Sequence, residues 1–205
     1  MKRFIIAGIH TEVGKTAVAA ILTEALNGYY WKPVQCGFPQ DRIWVEERLS
    51  QKDRCYPETY SLAIPASPHL AAEAEGVRIE AKDLIAPACQ SPLVIEGTGG
   101  ILSPLNETES WIDPAMQWDA GWILVHRHYL GSLNHCLLTV EAMRVRNLPI
   151  VGMIFNGEGN LETENMLLKR VGARCLARLP WQKELAAETV QMIAEQWKPL
   201  LQSVL

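Results

Sequence analysis

Gly14-Lys15-Thr16 combines three residue types suited to holding phosphate. Glycine lets the backbone turn so that amides converge, lysine adds positive charge for the outer phosphates, and the threonine hydroxyl can ligate Mg²⁺. The triplet works only where a strand runs into a helix, whose first amides are unpaired. Both flanks meet that demand. Arg3-Phe4-Ile5-Ile6-Ala7 is apolar and runs into Gly8, and 17–26 places helix formers and apolar residues at helical spacing. The full loop is Gly8-Ile9-His10-Thr11-Glu12-Val13-Gly14-Lys15-Thr16. It departs from the strict phosphate-loop pattern, which has glycine where Ile9 stands.

Three further charges fall where such a loop could use them. Lys32 lies in Tyr29-Tyr30-Trp31-Lys32-Pro33-Val34-Gln35, read as a second strand after the helix stop Asn27-Gly28. Strand, helix and strand this close together make a right-handed parallel unit. That brings Lys32 to the carboxyl edge of the sheet, where open α/β sheets bind ligands; its plainer reading is a solvated charge. Glu96 ends the apolar run Leu93-Val94-Ile95 and precedes Gly97-Thr98-Gly99-Gly100. An acid closing a buried strand is costly unless paired or bound to a cation. Beside a phosphate loop it reads as a Walker-B-type Mg²⁺ ligand, with glycines that admit a ligand close to the backbone; otherwise it is a salt-bridged strand end. Asp41 opens a predicted helix over 41–49, as cap or first-turn acid, or as a further Mg²⁺ ligand. His126-Arg127-His128 has the composition of a metal or phosphate site but reads more simply as a polar rim after a strand over 121–125.

The elements that must carry these residues follow in order. Ser67 caps a helix that Pro68 begins and Gly76 ends, and a short helix is predicted over 80–88. A helical turn falls within 111–118. Gly131-Ser132 opens a helix to about residue 146, with Ser132 as its cap and amides free for a carboxylate. A strand over 149–155 ends at Asn156-Gly157. A helix over 161–171 stops at Gly172, 175–181 is a last strand and loop, and helical segments follow Lys183. The alternation predicts one α/β domain over 1–205: three layers, with a mostly parallel sheet flanked by helices, of the P-loop NTPase type.

Composition narrows the partners. A net charge of −4 argues against a generic nucleic-acid binder. No apolar run reaches membrane-spanning length, and His10 and Glu12 interrupt the start before a signal-type apolar core develops. Five cysteines, an odd number without a CxxC pair, suit free thiols in a reducing cytoplasm rather than disulfides or zinc.

Taken together, these stretches resemble the dethiobiotin synthetase family. The resemblance rests on the Thr11-Glu12-Val13-Gly14-Lys15-Thr16 loop, Lys32-Pro33-Val34, Ser67-Pro68-His69 and Val94-Ile95-Glu96-Gly97-x-Gly99-Gly100. It continues through Leu130-Gly131-x-x-Asn134-His135-x-Leu137-Leu138-Thr139 and Leu179-Pro180-Trp181. It implies an ATP- and Mg²⁺-dependent cytoplasmic homodimer that closes a ureido ring on 7,8-diaminononanoate with CO₂ or bicarbonate. Neither nucleic acid nor membrane is expected as a partner. Lys15 and Lys32, with Thr11, would be catalytic, and Thr16, Asp41 and Glu96 would hold Mg²⁺. Nucleotide would be held by Glu12, Val13, Gly14, Lys15, Thr16, Ala17, Asp41, Glu96, Gly97, Thr98 and Gly99. Asn156, Gly157, Pro180, Trp181 and Gln182 would surround its base. Substrate would meet Cys36, with Gly131, Ser132, Leu133 and Asn134 of a second subunit at its distal carboxylate. Against the family pattern, His10 stands where aspartate is frequent, Cys36 replaces a small hydroxyl residue, and the segments after Gly37 and Trp181 are short. The competing classes are a ParA/MinD-type switch ATPase, whose signature lysine falls where His10 stands, a related amide-forming P-loop ligase, and a nucleotide-binding relative without turnover.

Overall fold

The computed structural model describes residues 2–182 and 184–202. Strand β1 (Arg3–Gly8) runs into the phosphate-type loop and helix α1 (Lys15–Ala25). Next come β2 (Tyr29–Trp31), β3 (Val34–Cys36), α2 (Asp41–Glu46), β4 (Cys55–Tyr56), β5 (Tyr60–Leu62) and α3 (Pro68–Ala74). The second half holds β6 (Leu93–Gly100), α4 (Ile112–Ala115), β7 (Gly121–Arg127) and α5 (Ser132–Val145). The described chain finishes with β8 (Ile150–Asn156), α6 (Leu161–Val171), β9 (Cys175–Leu179) and α7 (Ala187–Gln202).

The main sheet is wholly parallel, in the order β4-β2-β6-β1-β7-β8-β9. β1 lies inside it, and Ile5 and Ile6 are fully buried, as a strand covered on both faces requires. From β1 the chain steps to β2 on one side of it, while β7 lies on the other. The crevice above the carboxyl end of β1 is therefore the switch point at which such sheets bind ligands. β1 and β6 pair in step from Arg3↔Leu93 to Ile6↔Glu96, then slip so that Gly8 faces Gly100. The slip leaves 97–99 bowed out beside the loop. α1 packs on α7, and α5 on α6. Three indoles, Trp31, Trp118 and Trp111, form a buried chain with centroids 5.3 Å apart at each step.

Four local expectations are corrected. The single strand over 29–35 is two strands in different sheets: Pro33 has no amide for a ladder, and the chain there leaves the main sheet to pair β3 with β5. The helix over 41–49 ends at Glu46, its last turn tightened by Arg48 N donating to Val45 O (2.9 Å). The helix over 80–88 is one 3₁₀ turn, Ala81–Asp83. Its backbone has other partners: the Ala81 amide donates to Glu109 (3.0 Å), and the Leu84 carbonyl accepts from the Trp118 indole (3.0 Å). Ser132 does not cap α5; left-handed Gly131 (φ 94°) takes that place and Ser132 is the first helical residue. No helix among the described residues is long and apolar enough to cross a membrane.

Candidate active site

The loop between β1 and α1 curls through left-handed conformations at Glu12 (φ 57°) and Gly14 (φ 90°). Such alternation turns successive amides toward one point and forms an anion cradle. The cradle is gripped from behind. Asn156 Nδ2, at the end of β8, donates to Val13 O (2.8 Å), and Arg127 Nη1, at the end of β7, donates to Glu12 O (3.3 Å). A Cβ on Gly14 would lie 2.1 Å from Asn156 Nδ2. Gly14→Ala is therefore expected to spread the cradle and weaken nucleotide binding roughly ten- to a hundredfold, as titration calorimetry would read. Unchanged affinity would mean that the loop does not hold phosphate.

Behind the cradle lies a buried charge centre. Glu96 is 1% exposed. Its Oε1 accepts from Thr16 Oγ1 (2.7 Å) and Lys32 Nζ (3.3 Å), and its Oε2 from Tyr30 OH (2.7 Å). Lys32, which reads from sequence as a plain solvated charge or a site residue, is 7% exposed and also paired with Asp41. Burial works against its ammonium, but Glu96 and Asp41 more than offset that and raise its pKa. Lys15 is equally buried, and among the described residues its hydrogen-bond partner is a carbonyl, His10 O at 3.2 Å. Burial pulls its pKa down to about 8, with Glu96 partly resisting. An ammonium so short of partners is poised for an incoming anion.

Tyr30 escaped the sequence reading. Burial, then the Glu96 charge, push its phenol well above the ordinary range, so it stays a neutral donor. The signal was available: Tyr30 lies two residues before Lys32, and alternation along an extended segment puts both on one face.

These groups open into a cleft of about 990 Å³ that brings together Thr11, Glu12, Lys15, Thr16, Lys32, Cys36, Asp41 and Glu96. Gly14, Thr98 and Gly99 also line it. Burial raises the Cys36 thiol to about 11, so it faces the cleft uncharged. Thr98 spends its hydroxyl on Val34 O (2.6 Å). Gly97 and Val13 are closely packed: a Cβ on Gly97 would lie 2.6 Å from the Trp111 indole nitrogen, and the Val13 side chain is buried in the core, which leaves their backbone for a ligand. Ala17 is partly buried in the first turn of α1. Gly131, Ser132, Leu133 and Asn134 do not line the cleft, nor do Asn156, Gly157, Pro180, Trp181 and Gln182. Gly157 is tied to β9 through Leu179 O (2.9 Å), and Trp181 is 61% exposed. The His126-Arg127-His128 run also stays off the cleft. His128 meets buried Glu164 (3.4 Å), which also accepts from Arg178 (2.6 Å). His126, read as rim, is fully buried with neither ring nitrogen hydrogen-bonded among the described residues; burial holds its pKa near 4.

The donors suit a hard cation. Thr16, Asp41 and Glu96 offer oxygen, and among the described residues no group of three His, Cys, Asp or Glu forms a closed protein cage. Mg²⁺ characteristically takes one or two carboxylates and completes its shell with phosphates and water.

Comparison with known proteins agrees with this geometry. A family model described as "AAA domain" matches residues 2–189. The ATP-dependent dethiobiotin synthetase of Chlamydia pneumoniae is 45% identical over 200 residues, 97% of this chain and 90% of that protein. The enzyme of that name from Rhodopseudomonas palustris (strain BisA53) is 43% identical over 92% of this chain and 90% of its own. The chain belongs to the dethiobiotin synthetase family. Solved structures extend the likeness at the level of fold alone. A ParA family ATPase from Chlorobium tepidum superimposes with a TM-score of 0.54 at 16% identity, covering 98% of this chain and 92% of that one. Pyrococcus horikoshii MinD with Mg-ADP gives 0.53 at 16% identity, over 97% and 89%. Within the dethiobiotin synthetase family, this chain carries its charged centre on α1, α2, β6 and the residue just after β2, around the switch point of the sheet.

Proposed function

We propose that this chain makes dethiobiotin from 7,8-diaminononanoate, CO₂ and ATP. The observation that carries the reading is the buried centre Lys15–Glu96–Lys32–Asp41 beneath a phosphate cradle, in a chain so similar to named dethiobiotin synthetases. One substrate amine adds to CO₂ as a carbamate. The carbamate oxygen attacks the γ-phosphorus and ADP departs. The second amine attacks the resulting anhydride carbonyl, closes the ring and expels phosphate.

The residues present divide this work. Loop amides and α1's first turn orient the phosphates, and Lys15 lends its charge as negative charge builds between carbamate and phosphate. Lys32, fixed by two carboxylates, holds the carbamate side. Thr11 and Glu12 line the approach. Thr16, Asp41 and Glu96 would hold Mg²⁺, which supplies charge neutralisation on the phosphates. Asn156 and Gly157, with Pro180, Trp181 and Gln182, surround the base. Gly131, Ser132, Leu133 and Asn134 lie off this chain's own cleft, which accords with a homodimer in which the second copy brings the start of its α5 to the substrate's distal carboxylate.

The deciding experiment mixes the chain with 7,8-diaminononanoate, MgATP and bicarbonate and reads small molecules by mass spectrometry, with Lys15→Ala as control. ATP-dependent dethiobiotin supports the proposal. ATP hydrolysis without it points to another amine, and nucleotide binding without turnover to a switch protein. Glu96→Ala is expected to raise the Mg²⁺ concentration for half-maximal rate roughly tenfold or more while changing the diamine KM by less than about twofold. An unchanged Mg²⁺ titration would remove Glu96 from the metal shell.

A further inference from the structure

The lining of the cleft is of two unlike kinds: Lys15, Lys32, Asp41 and Glu96 are charged, whereas Phe38, Pro39 and Pro65 are apolar. Phe38 is 66% exposed although it lines the cleft. An aromatic ring left in water at the lip of a charged cleft is a contact surface awaiting an apolar group.

The lip is held in place. Gln35 is buried, and its Nε2 donates to Gly37 O (2.9 Å) while its Oε1 accepts from the Asp41 amide (3.3 Å). One side chain therefore fastens both ends of the segment carrying Phe38. Gly37 (φ 84°) lies against the facing loop; a Cβ there would come 2.7 Å from Pro65, and its amide donates to Leu62 O (2.8 Å). Along the chain, Lys32 marks the charged floor, Cys36 the mid-wall and Phe38 the rim.

We infer that Phe38, with Pro39 and Pro65 lining the same cleft, is a specificity-determining contact for the hydrocarbon chain of the substrate. The inference rests on the proposed function and adds to it a ruler for chain length. Lys32 is buried and Phe38 exposed along the same wall, so a diamine whose nitrogens reach Lys32 and the phosphates can lead its methylenes outward past Cys36 to this rim. Covering them there selects a long alkyl diamine over a short one by roughly fourfold per methylene.

The test uses steady-state kinetics on the intact chain, Phe38→Ala and Phe38→Leu, each with 7,8-diaminononanoate and with an analogue two methylenes shorter. The unchanged chain is expected to prefer the long diamine by roughly fifteenfold in kcat/KM. Phe38→Ala should lose roughly tenfold on the long diamine through KM, little on the short one, and nothing in the KM for ATP. Phe38→Leu should recover most of the loss. Equal losses on both diamines, no loss on either, or a raised KM for ATP would overturn the inference while the proposed function stands. Failure of the unchanged chain to make dethiobiotin would take both down. Because the ring is exposed, its removal leaves the core intact.

Discussion

Lys15→Ala is expected to lower dethiobiotin formation at least about a thousandfold, with the thermal midpoint within a few degrees of the unchanged chain. The rate loss follows from removing the cation nearest the phosphate cradle, where charge develops during transfer. The small stability change follows from two opposed effects. The stem's packing is lost, but so is a buried ammonium whose pKa burial has pulled from 10.5 to about 8. The sign is testable. From pH 8 to 10.5 the unfolded chain binds the proton that the folded chain has released, so this lysine makes the folded state gain stability as pH rises through that window. The variant should lack that rise. Nucleotide binding restores an anionic partner and should therefore take up a proton above about pH 8, which calorimetry in buffers of different ionisation enthalpy would read. Full activity in Lys15→Ala would end the phosphate-loop assignment.

Lys32→Met should cost both activity and fold. Glu96, 1% exposed, would keep only the Thr16 and Tyr30 hydroxyls, and Asp41 would lose its ammonium partner. Removing one member of a buried ion pair costs about 3–5 kcal/mol, because the remaining charge stays desolvated. Urea unfolding should show a loss of that order, with product formation down at least about a hundredfold. A loss below about 1 kcal/mol would mean that water screens the centre in solution. Lys32→Arg should restore stability better than rate, since a planar guanidinium cannot reproduce the point charge of an ammonium.

These residues show what a linear sequence can disclose. Thr11, Gly14, Lys15, Thr16 and Glu96 were legible as candidates because their signal is local: a strand pattern, a chemically apt residue at its end, and a glycine. The parallel sheet followed from the same alternation. Lys32 was half legible. Its position beside the loop came from topology, but its pairing with Asp41 came from α2, which follows after the chain has left the main sheet at Pro33. Tyr30 shows in the sequence only as a neighbour of Lys32 on one face, its role resting on a tertiary hydrogen bond to Glu96, and Gln35 carries no motif, although it fastens the 37–41 segment. The false helix over 80–88 had adequate propensity, but Glu109 and Trp118 claim its backbone groups. His126 looked like a rim residue because a polar side chain after an apolar strand ordinarily is one; here β7 continues through it to Arg127.

The chain of indoles described above also gives the molecule an optical character. Trp31 directly precedes Lys32, and the Trp111 ring lies under Gly97, next to Glu96. With Trp118 between them, the three rings are close enough for their excited states to couple and rigid enough to do so with a fixed handedness. The near-ultraviolet circular dichroism is therefore expected to carry a coupled contribution from these three rings, beside those of the separately buried Trp122 and Trp197, while the exposed ring of Trp181 adds little of fixed sign.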